Sequence, residues 1–305
     1  GQLPLHVAAQ TNLIEASHML LDAFASALVL SGRTMMETPL YFAIVNHNVA
    51  AVELFIDHCP QCARKGCADE EELPLHSALK LTSSTPAKDD IVELLLHEYP
   101  EAVNVPYRPL ERTNDPLCGM LPIQMACILK CSRRIIELLL DCSPASIQFR
   151  TEEGYVPLHL ASKSKAPIDV LELLIDRYPQ ALRSWSDPSP LSPHGCLPLH
   201  MALGLCDNDT DLEVVQLLID RYPESLEMQL GCGGLTLHHV LRRATPPQSF
   251  STQLIRLLSE KCPQSLSHAD DTGMLPLHLA AKRTTGLSEE AMRTLIDCHP
   301  KALET

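Results

Sequence analysis

The chain has 305 residues, of which 45% are hydrophobic and only 4% are aromatic, with a single Trp. This apolar content suffices for a large core, and the scarcity of aromatic residues favours thin helical layers packed through aliphatic side chains over a large globular enzyme. Acidic residues outnumber basic residues by 38 to 24, a formal net charge of −14, which is the wrong sign for binding nucleic acid or anionic lipid and favours a basic protein as partner.

No apolar run reaches the ~18 residues that a membrane span requires, and the first residues lack the basic-then-apolar pattern of a secretory signal. A chain of this length does not depend on disulfides for its stability, so we interpret its 12 Cys as reduced thiols. We therefore expect an intracellular, cytoplasmic protein without membrane contact.

Eight copies of a four-residue phrase, most often Leu-Pro-Leu-His, open the predicted elements in chain order. Four copies are complete, at residues 3–6, 73–76, 197–200 and 275–278, and four are variants, at 38–41, 121–124, 156–159 and 235–238. Pro is second in seven copies, and at the first position of a helix its missing N–H costs nothing. Each phrase therefore predicts the start of a short helix, whose small residues allow a neighbouring helix to approach closely.

A Leu-rich second phrase follows each copy, as at residues 173–182 and 217–226. It is apolar on most sides, which indicates a helix buried between neighbours, and a pair such as Tyr-Pro ends it because the residue before Pro leaves the α region. Two linked phrases that recur every 35 to 48 residues indicate a solenoid, in which each unit buries its apolar face only by stacking. We predict a single all-α solenoid over residues 1–305, with eight helix–turn–helix repeats at about 1–35, 36–70, 71–118, 119–153, 154–194, 195–232, 233–272 and 273–305.

These phrases resemble the ankyrin repeat, whose first helix opens with Thr-Pro-Leu-His and whose connecting loop carries Asp-Gly. Six matching Gly residues precede the phrases, at 1, 119, 154, 195, 233 and 273. The resemblance covers essentially the whole chain and implies finger-like connecting loops, with a partner protein bound across the fingers and first helices. The chain departs from the family in two ways: Leu or Val replaces Thr wherever the His is kept, and a Pro instead of a Gly follows most second helices.

The His of the first phrase recurs in six repeats, as His6, His76, His159, His200, His238 and His278. It stands where a capping box holds Glu or Gln, and the fourth repeat has Gln124 there. We predict that each His accepts a hydrogen bond from the backbone at the start of its own helix, so that His159→Ala lowers stability by about 1 kcal/mol. Because one His per layer forms a row and not a converging cluster, we interpret these residues as structural.

The segment Cys-Pro-Gln-Cys at 59–62 has the spacing of a metal or redox motif. In the repeat alignment, however, Cys59 and Cys62 take the places of Tyr178 and Ala181, and no second Cys pair at zinc spacing follows, so we favour repeat packing. An Asp that recurs near the end of most second helices is interpreted as a solvated or turn-bonding side chain. Phosphate loops, nucleophile elbows and zinc-protease motifs are absent, and we predict no enzyme activity, cofactor, metal or small-molecule substrate.

Two long fingers are the candidate binding loops. Residues 104–118 contain Tyr107, Arg108 and Arg112, residues 183–194 contain Trp185, and each finger has three Pro. Trp, Tyr and Arg dominate interface hot spots, and Pro-stiffened loops are less costly to order. The alternative for Tyr107 and Trp185 is local packing on their own loops. The acidic fingertip at 69–72 is either solvated or in contact with a basic partner.

We therefore predict a protein–protein interaction module that presents a rigid surface of fingers and first helices. One alternative is a regulatory or targeting arm of a larger enzyme, channel or ubiquitin-pathway protein. It follows from the lack of polar capping repeats, which suggests a segment of a longer protein. A remote alternative is a metal- or thiol-dependent enzyme.

Overall fold

The computed structural model describes residues 3–11, 13–24, 38–64, 72–82, 85–109, 115–188, 195–204, 209–230, 233–242, 252–282 and 287–303. They group into two compact units, Gly1–Thr151 and Glu152–Thr305. The described residues are helical without an extended strand, which confirms the all-α prediction. None of the described helices is both long and apolar enough to cross a bilayer.

The helices come in consecutive pairs, a first helix opened by the four-residue phrase and a second helix formed by the Leu-rich phrase. In the first unit the helices are α1 Pro4–Thr11, α2 Ile14–Phe24, α3 Pro39–Val45, α4 Val49–His58, α5 Pro74–Leu79, α6 Pro86–Glu98, α7 Pro122–Ile128 and α8 Arg133–Cys142. In the second unit they are α9 Pro157–Ser164, α10 Ile168–Arg177, α11 Pro198–Leu203, α12 Asp209–Arg221, α13 Thr236–Arg242, α14 Thr252–Lys261, α15 Pro276–Lys282 and α16 Glu289–Cys298. One pair falls in each predicted repeat, while the count of eight repeats and their boundaries stay predictions.

Helices of one kind pack on helices of the same kind. In the first unit α1, α3, α5 and α7 contact one another in succession, as do α2, α4, α6 and α8. In the second unit α9 packs on α11, α13 on α15, α10 on α12 and α14 on α16. The core between the two layers consists mainly of aliphatic and small side chains such as Leu40, Ala43 and Val52, with the aromatic Phe55 among them, all of them fully buried. Within each unit, first and second helices therefore contribute opposite sides of a shared core.

Pro residues set the boundaries of both kinds of helix. Seven first helices begin at the Pro of their phrase, as predicted, and α13 begins at Thr236. A second helix ends before a residue such as Tyr178, and the Pro that follows opens a short 3-10 helix that the sequence did not reveal. These 3-10 helices are Pro60–Ala63, Pro100–Asn104, Pro144–Gln148, Pro179–Arg183, Pro223–Leu226, Pro263–Leu266 and Pro300–Leu303.

A buried lysine completes the end of α5. The Lys88 ammonium, which comes from α6, donates hydrogen bonds to the carbonyls of Leu79 at 2.9 Å and Leu81 at 2.8 Å. The side chain is only 2% exposed. Because the last carbonyls of a helix lack partners within the helix, this lysine supplies donors that water would otherwise provide.

Backbone hydrogen bonds and a glycine close the base of four fingers, at Gly119, Gly195, Gly233 and Gly273. In the finger that joins α10 to α11, the N–H of Ser186 donates to the carbonyl of Cys196 at 3.0 Å. Gly195 has φ +79°, and a Cβ there would lie 2.1 Å from the Ser186 carbonyl oxygen. This close approach requires glycine, so the recurring Gly of the sequence marks the point where the chain turns back into the next first helix.

Candidate functional site

The repeat His side chains cap their own helices, as predicted. In all six repeats Nδ1 accepts a hydrogen bond from the backbone N–H of the residue before the helix, at 3.1 to 3.3 Å. In the fourth repeat Gln124 Oε1 accepts the corresponding bond from the N–H of Leu121 at 2.9 Å. The side chain thus makes the half of a capping box that bonds the N–H of the residue before the helix, which is a different donor from the one that Thr38 bonds at the start of α3.

The other end of the same side chain reaches the following finger. Nε2 of His76 bonds the carbonyl of Val105, and Nε2 of His159 bonds that of Cys196, both at 3.0 Å. Gln124 Nε2 donates to Phe149 in the same way at 3.1 Å. Because Nδ1 accepts, the proton of the neutral ring is on Nε2. The rings of His76, His159 and His238 thus link a helix start to the next loop, and that of His200 reaches the Thr236 hydroxyl at 3.3 Å.

Burial keeps the rings of His76 and His200 neutral. It lowers the pKa of His76 to about 4, although the hydrogen bond to Val105 opposes the shift. Burial lowers the pKa of His200 to about 3, with a further contribution from His239 and His159 nearby. The rings are therefore structural links at neutral pH and are not poised to exchange protons.

Tyr107 lies inside its own finger. Its side chain is 2% exposed, and its hydroxyl donates to Asp115 and accepts from the Lys80 ammonium, both at 3.1 Å. Lys80 also pairs with Glu72 at 2.7 Å. The Tyr107 ring therefore packs within its own finger, and a contact between this residue and a partner stays a prediction.

The other predicted contact residues differ in exposure. Arg108 is exposed beside Tyr107, and Trp185 is partly exposed, with its ring centroid 6.0 Å from that of His200 on α11. Arg112 and residues 69–71 of the acidic fingertip lie outside the described residues. Arg108 and Trp185 are therefore at least partly accessible to solvent, and their contact with a partner stays a prediction.

Trp185 has neighbours that the sequence did not single out. The N–H of Asp187 donates to the carbonyl of Glu153 at 3.0 Å, which joins the Trp185 finger to the preceding one. That preceding finger carries Tyr155, which is half-buried, and the Lys163 ammonium lies 5.7 Å from its ring centroid. Aromatic and cationic side chains thus occur together where the fingers meet the first helices of the second unit.

The second helices present a different surface, on which charges pair between repeats. Asp176 on α10 accepts from Arg221 on α12, and Asp220 on α12 accepts from Lys261 on α14, each at 2.8 Å. The recurrent Asp was expected to be solvated or turn-bonding, and at these two positions it also forms an ion pair with the next repeat. Exposed pairs of this kind contribute at most about 1 kcal/mol each, and they engage these four charged groups of the second helices.

The solved structure of the human ASB11 ankyrin repeat domain has a similar architecture, with a TM-score of 0.52 and 20% sequence identity over 81% of this chain and 100% of that one. This chain has the ankyrin-repeat fold. The ankyrin repeat domain of Bcl-3 is a weaker match, with a TM-score of 0.43 and 18% identity over 97% of this chain and 98% of that one. No family model matches the sequence, and the curated proteins contain no match.

Within this ankyrin-repeat fold, the Cys-Pro-Gln-Cys segment crosses the end of α4 and the 3-10 helix that follows. Cys62 is 4% exposed, with its Sγ 3.7 Å from the Phe55 carbonyl, and burial raises the pKa of the thiol to about 12. A raised pKa lowers the thiolate fraction on which both metal binding and redox reactivity depend. Across the part of the chain that the structure describes, no three His, Cys, Asp or Glu side chains group as metal ligands would.

Proposed function

We propose that the chain is a protein–protein interaction module whose partner contacts a first-helix face, which we define within each unit as the exposed sides of its first helices with the adjoining fingers. The observation that carries this proposal is the kind of side chain exposed there. Val45 on α3 is 42% exposed, Trp185 is partly exposed, and Lys163 and Arg108 are exposed. Aromatic, apolar and Arg side chains on a rigid support are the typical anchors of a protein interface.

The second-helix face supports the same assignment by contrast. Its charged residues pair between consecutive repeats, as Asp176 does with Arg221, so a partner would have to displace contacts that already exist. The resemblance to ankyrin repeats also implies binding across fingers and first helices. We therefore assign the interaction to one face of the fold and propose no catalytic step.

Site-specific photo-crosslinking in cells tests which face binds. A photoreactive amino acid replaces Val45 or Lys163 on the first-helix face, and Glu53 or Asp169 on the second-helix face serves as the matched exposed control. We expect one protein to be crosslinked reproducibly from the first two positions and absent from the two controls. Equal crosslinking from both faces, or crosslinking from the control positions alone, would contradict the proposal.

Affinity measurements with the purified crosslinked protein then test the individual residues. We expect Trp185→Ala to weaken binding at least about tenfold, the loss of one interface anchor of about 1.4 kcal/mol or more. Arg108→Ala tests the other finger. Circular dichroism verifies that each variant is folded, and unchanged affinity in both folded variants would remove the two fingers from the interface.

A further inference from the structure

Charge is distributed unequally between the two kinds of helix. None of the eight first helices, as the structure bounds them, contains Asp or Glu, whereas each of the eight second helices contains at least one. The formally charged residues within the first helices are Lys163, Arg242 and Lys282. The face to which we assign binding is thus basic along its helices, in a chain whose net charge is −14.

Two of these cations border one groove in the second unit. The groove has a volume of about 360 Å³ and lies between α13, α15 and the finger that joins α14 to α15; it is lined by Leu241, Arg242, Thr272, Met274, Leu279 and Lys282. Leu241 and Leu279 are buried, Met274 is partly exposed, and Lys282 is exposed. The groove therefore combines an apolar floor with two cationic side chains.

Arg242 is held in place by a carboxylate beneath it. One guanidinium nitrogen donates to Asp270 Oδ2 at 2.5 Å, and the Asp270 side chain has no exposed surface. The other oxygen of Asp270 accepts from the N–H and hydroxyl of Thr272 at 2.8 and 2.6 Å and from the N–H of Met274 at 3.0 Å. A guanidinium has five N–H donors, so Arg242 is oriented by Asp270 and retains donors for a ligand.

Among the described residues that line the groove there are two cations, Arg242 and Lys282, and no carboxylate. Asp270 balances Arg242, and the neighbouring Asp271 carboxylate lies against the backbone at Gly233, where a Cβ would be 2.0 Å from its Oδ1. Lys282 contributes a second positive charge at the rim. An ion pair made beside an apolar floor is screened less by water than one on an open surface, which favours a ligand with one carboxylate next to an apolar group.

We propose that this groove binds an Asp or Glu side chain flanked by an apolar residue, in an extended segment of the partner protein. The carboxylate meets Lys282 and the free donors of Arg242, while the apolar neighbour packs on Leu241, Met274 and Leu279. This inference rests on the proposed function and names the chemistry of its partner. It is opposite in sign to the basic partner that net charge alone predicts.

Selection from a random library of displayed 12-residue peptides on the intact chain tests the groove. We expect the selected peptides to be enriched in Asp or Glu beside Leu, Ile, Met or Phe. For the best synthetic peptide, Lys282→Glu should weaken binding at least tenfold, measured by fluorescence anisotropy. Lys301→Glu is the matched control, because Lys301 is also exposed in the second unit but outside the groove, and it should change affinity less than twofold.

Three results would overturn the groove proposal. The first is selection of basic peptides, or of no peptide at all. The second is an acidic peptide that binds the Lys282→Glu variant as well as the parent. The third is an equal loss in both variants, which would show a general charge effect. None of these results contradicts the proposed function, which the crosslinking experiment tests separately, without a peptide and without changing Lys282.

Discussion

The His76 link should make part of the stability of the first unit depend on pH. Burial lowers its pKa to about 4 in the folded protein, against about 6.5 in an unfolded chain. The folded pKa is the lower one, so protonation favours the unfolded state. The stabilisation from the neutral ring is fully present above pH 6.5 and is lost as the pH falls towards 4. The free energy of unfolding should fall by about 2 kcal/mol between pH 7.5 and 5, and by about 3.4 kcal/mol in total at the acid limit.

The fourth repeat supplies the variant that isolates this effect. Gln124 makes both hydrogen bonds that His76 makes, one to its own helix start and one to the next finger, but its amide does not titrate. His76→Gln should therefore fold and keep most of the stability at pH 7.5. Between pH 7.5 and 5 the free energy of unfolding of this variant should fall by about 2 kcal/mol less than that of the parent.

Urea unfolding at the two pH values, followed by far-ultraviolet circular dichroism, measures this difference within each protein. His97→Gln is the control, because His97 is exposed on α6, and it should follow the parent. If His76→Gln and the parent lose equal free energy between the two pH values, the ring does not remain neutral in the folded state and the reasoning fails.

Three further predictions concern stability, each measured as the free energy of urea unfolding at pH 7.5. Gly195→Ala should lower the free energy of unfolding by at least about 3 kcal/mol, because the new Cβ meets the Ser186 carbonyl. Gly119→Ala should lower it by only about 1 kcal/mol, because Gly119 has a similar φ but open space around it. Equal losses in the two variants would contradict this. Lys88→Met should lower the free energy of unfolding by about 2 kcal/mol, because it removes the ammonium donor from the carbonyls of Leu79 and Leu81; a neutral effect would show that water replaces that donor. His159→Ala removes the bond to the finger as well as the cap, so we expect the free energy of unfolding to fall by about 2 to 4 kcal/mol. A loss of no more than about 1 kcal/mol would mean that the bond to the finger adds nothing.

The sequence predicted features that depend on a few neighbouring residues. The Pro at the helix start, the Pro after the second helix and the capping His each act within four residues, so the repeated phrases were enough to locate them. The structure confirms the cap in all six repeats, including His6 and His278 at the two ends of the series. The bond from Nε2 to the following finger was not predicted, because it depends on how one repeat is placed against the next.

The candidate site was less predictable for the same reason. Tyr107 has a typical hot-spot side chain, yet Lys80 and Asp115 hold it inside its finger, and no local pattern reveals that network. Arg242 and Lys282 are ordinary residues in the sequence, 40 positions apart. Only the packing of α13 on α15 brings them to one groove.

The links made by the repeat side chains have a consequence for the order of folding. The bonds from His76, Gln124, His159 and His238 to the following finger join residues 29, 25, 37 and 30 positions apart. The entropy of closing a loop varies only with the logarithm of its length, so these separations differ in cost by less than about 0.4 kcal/mol. No link is favoured by chain length, and folding can start at any adjacent pair of repeats and spread in both directions. The side chains within each repeat, and not its position along the chain, then decide where folding begins.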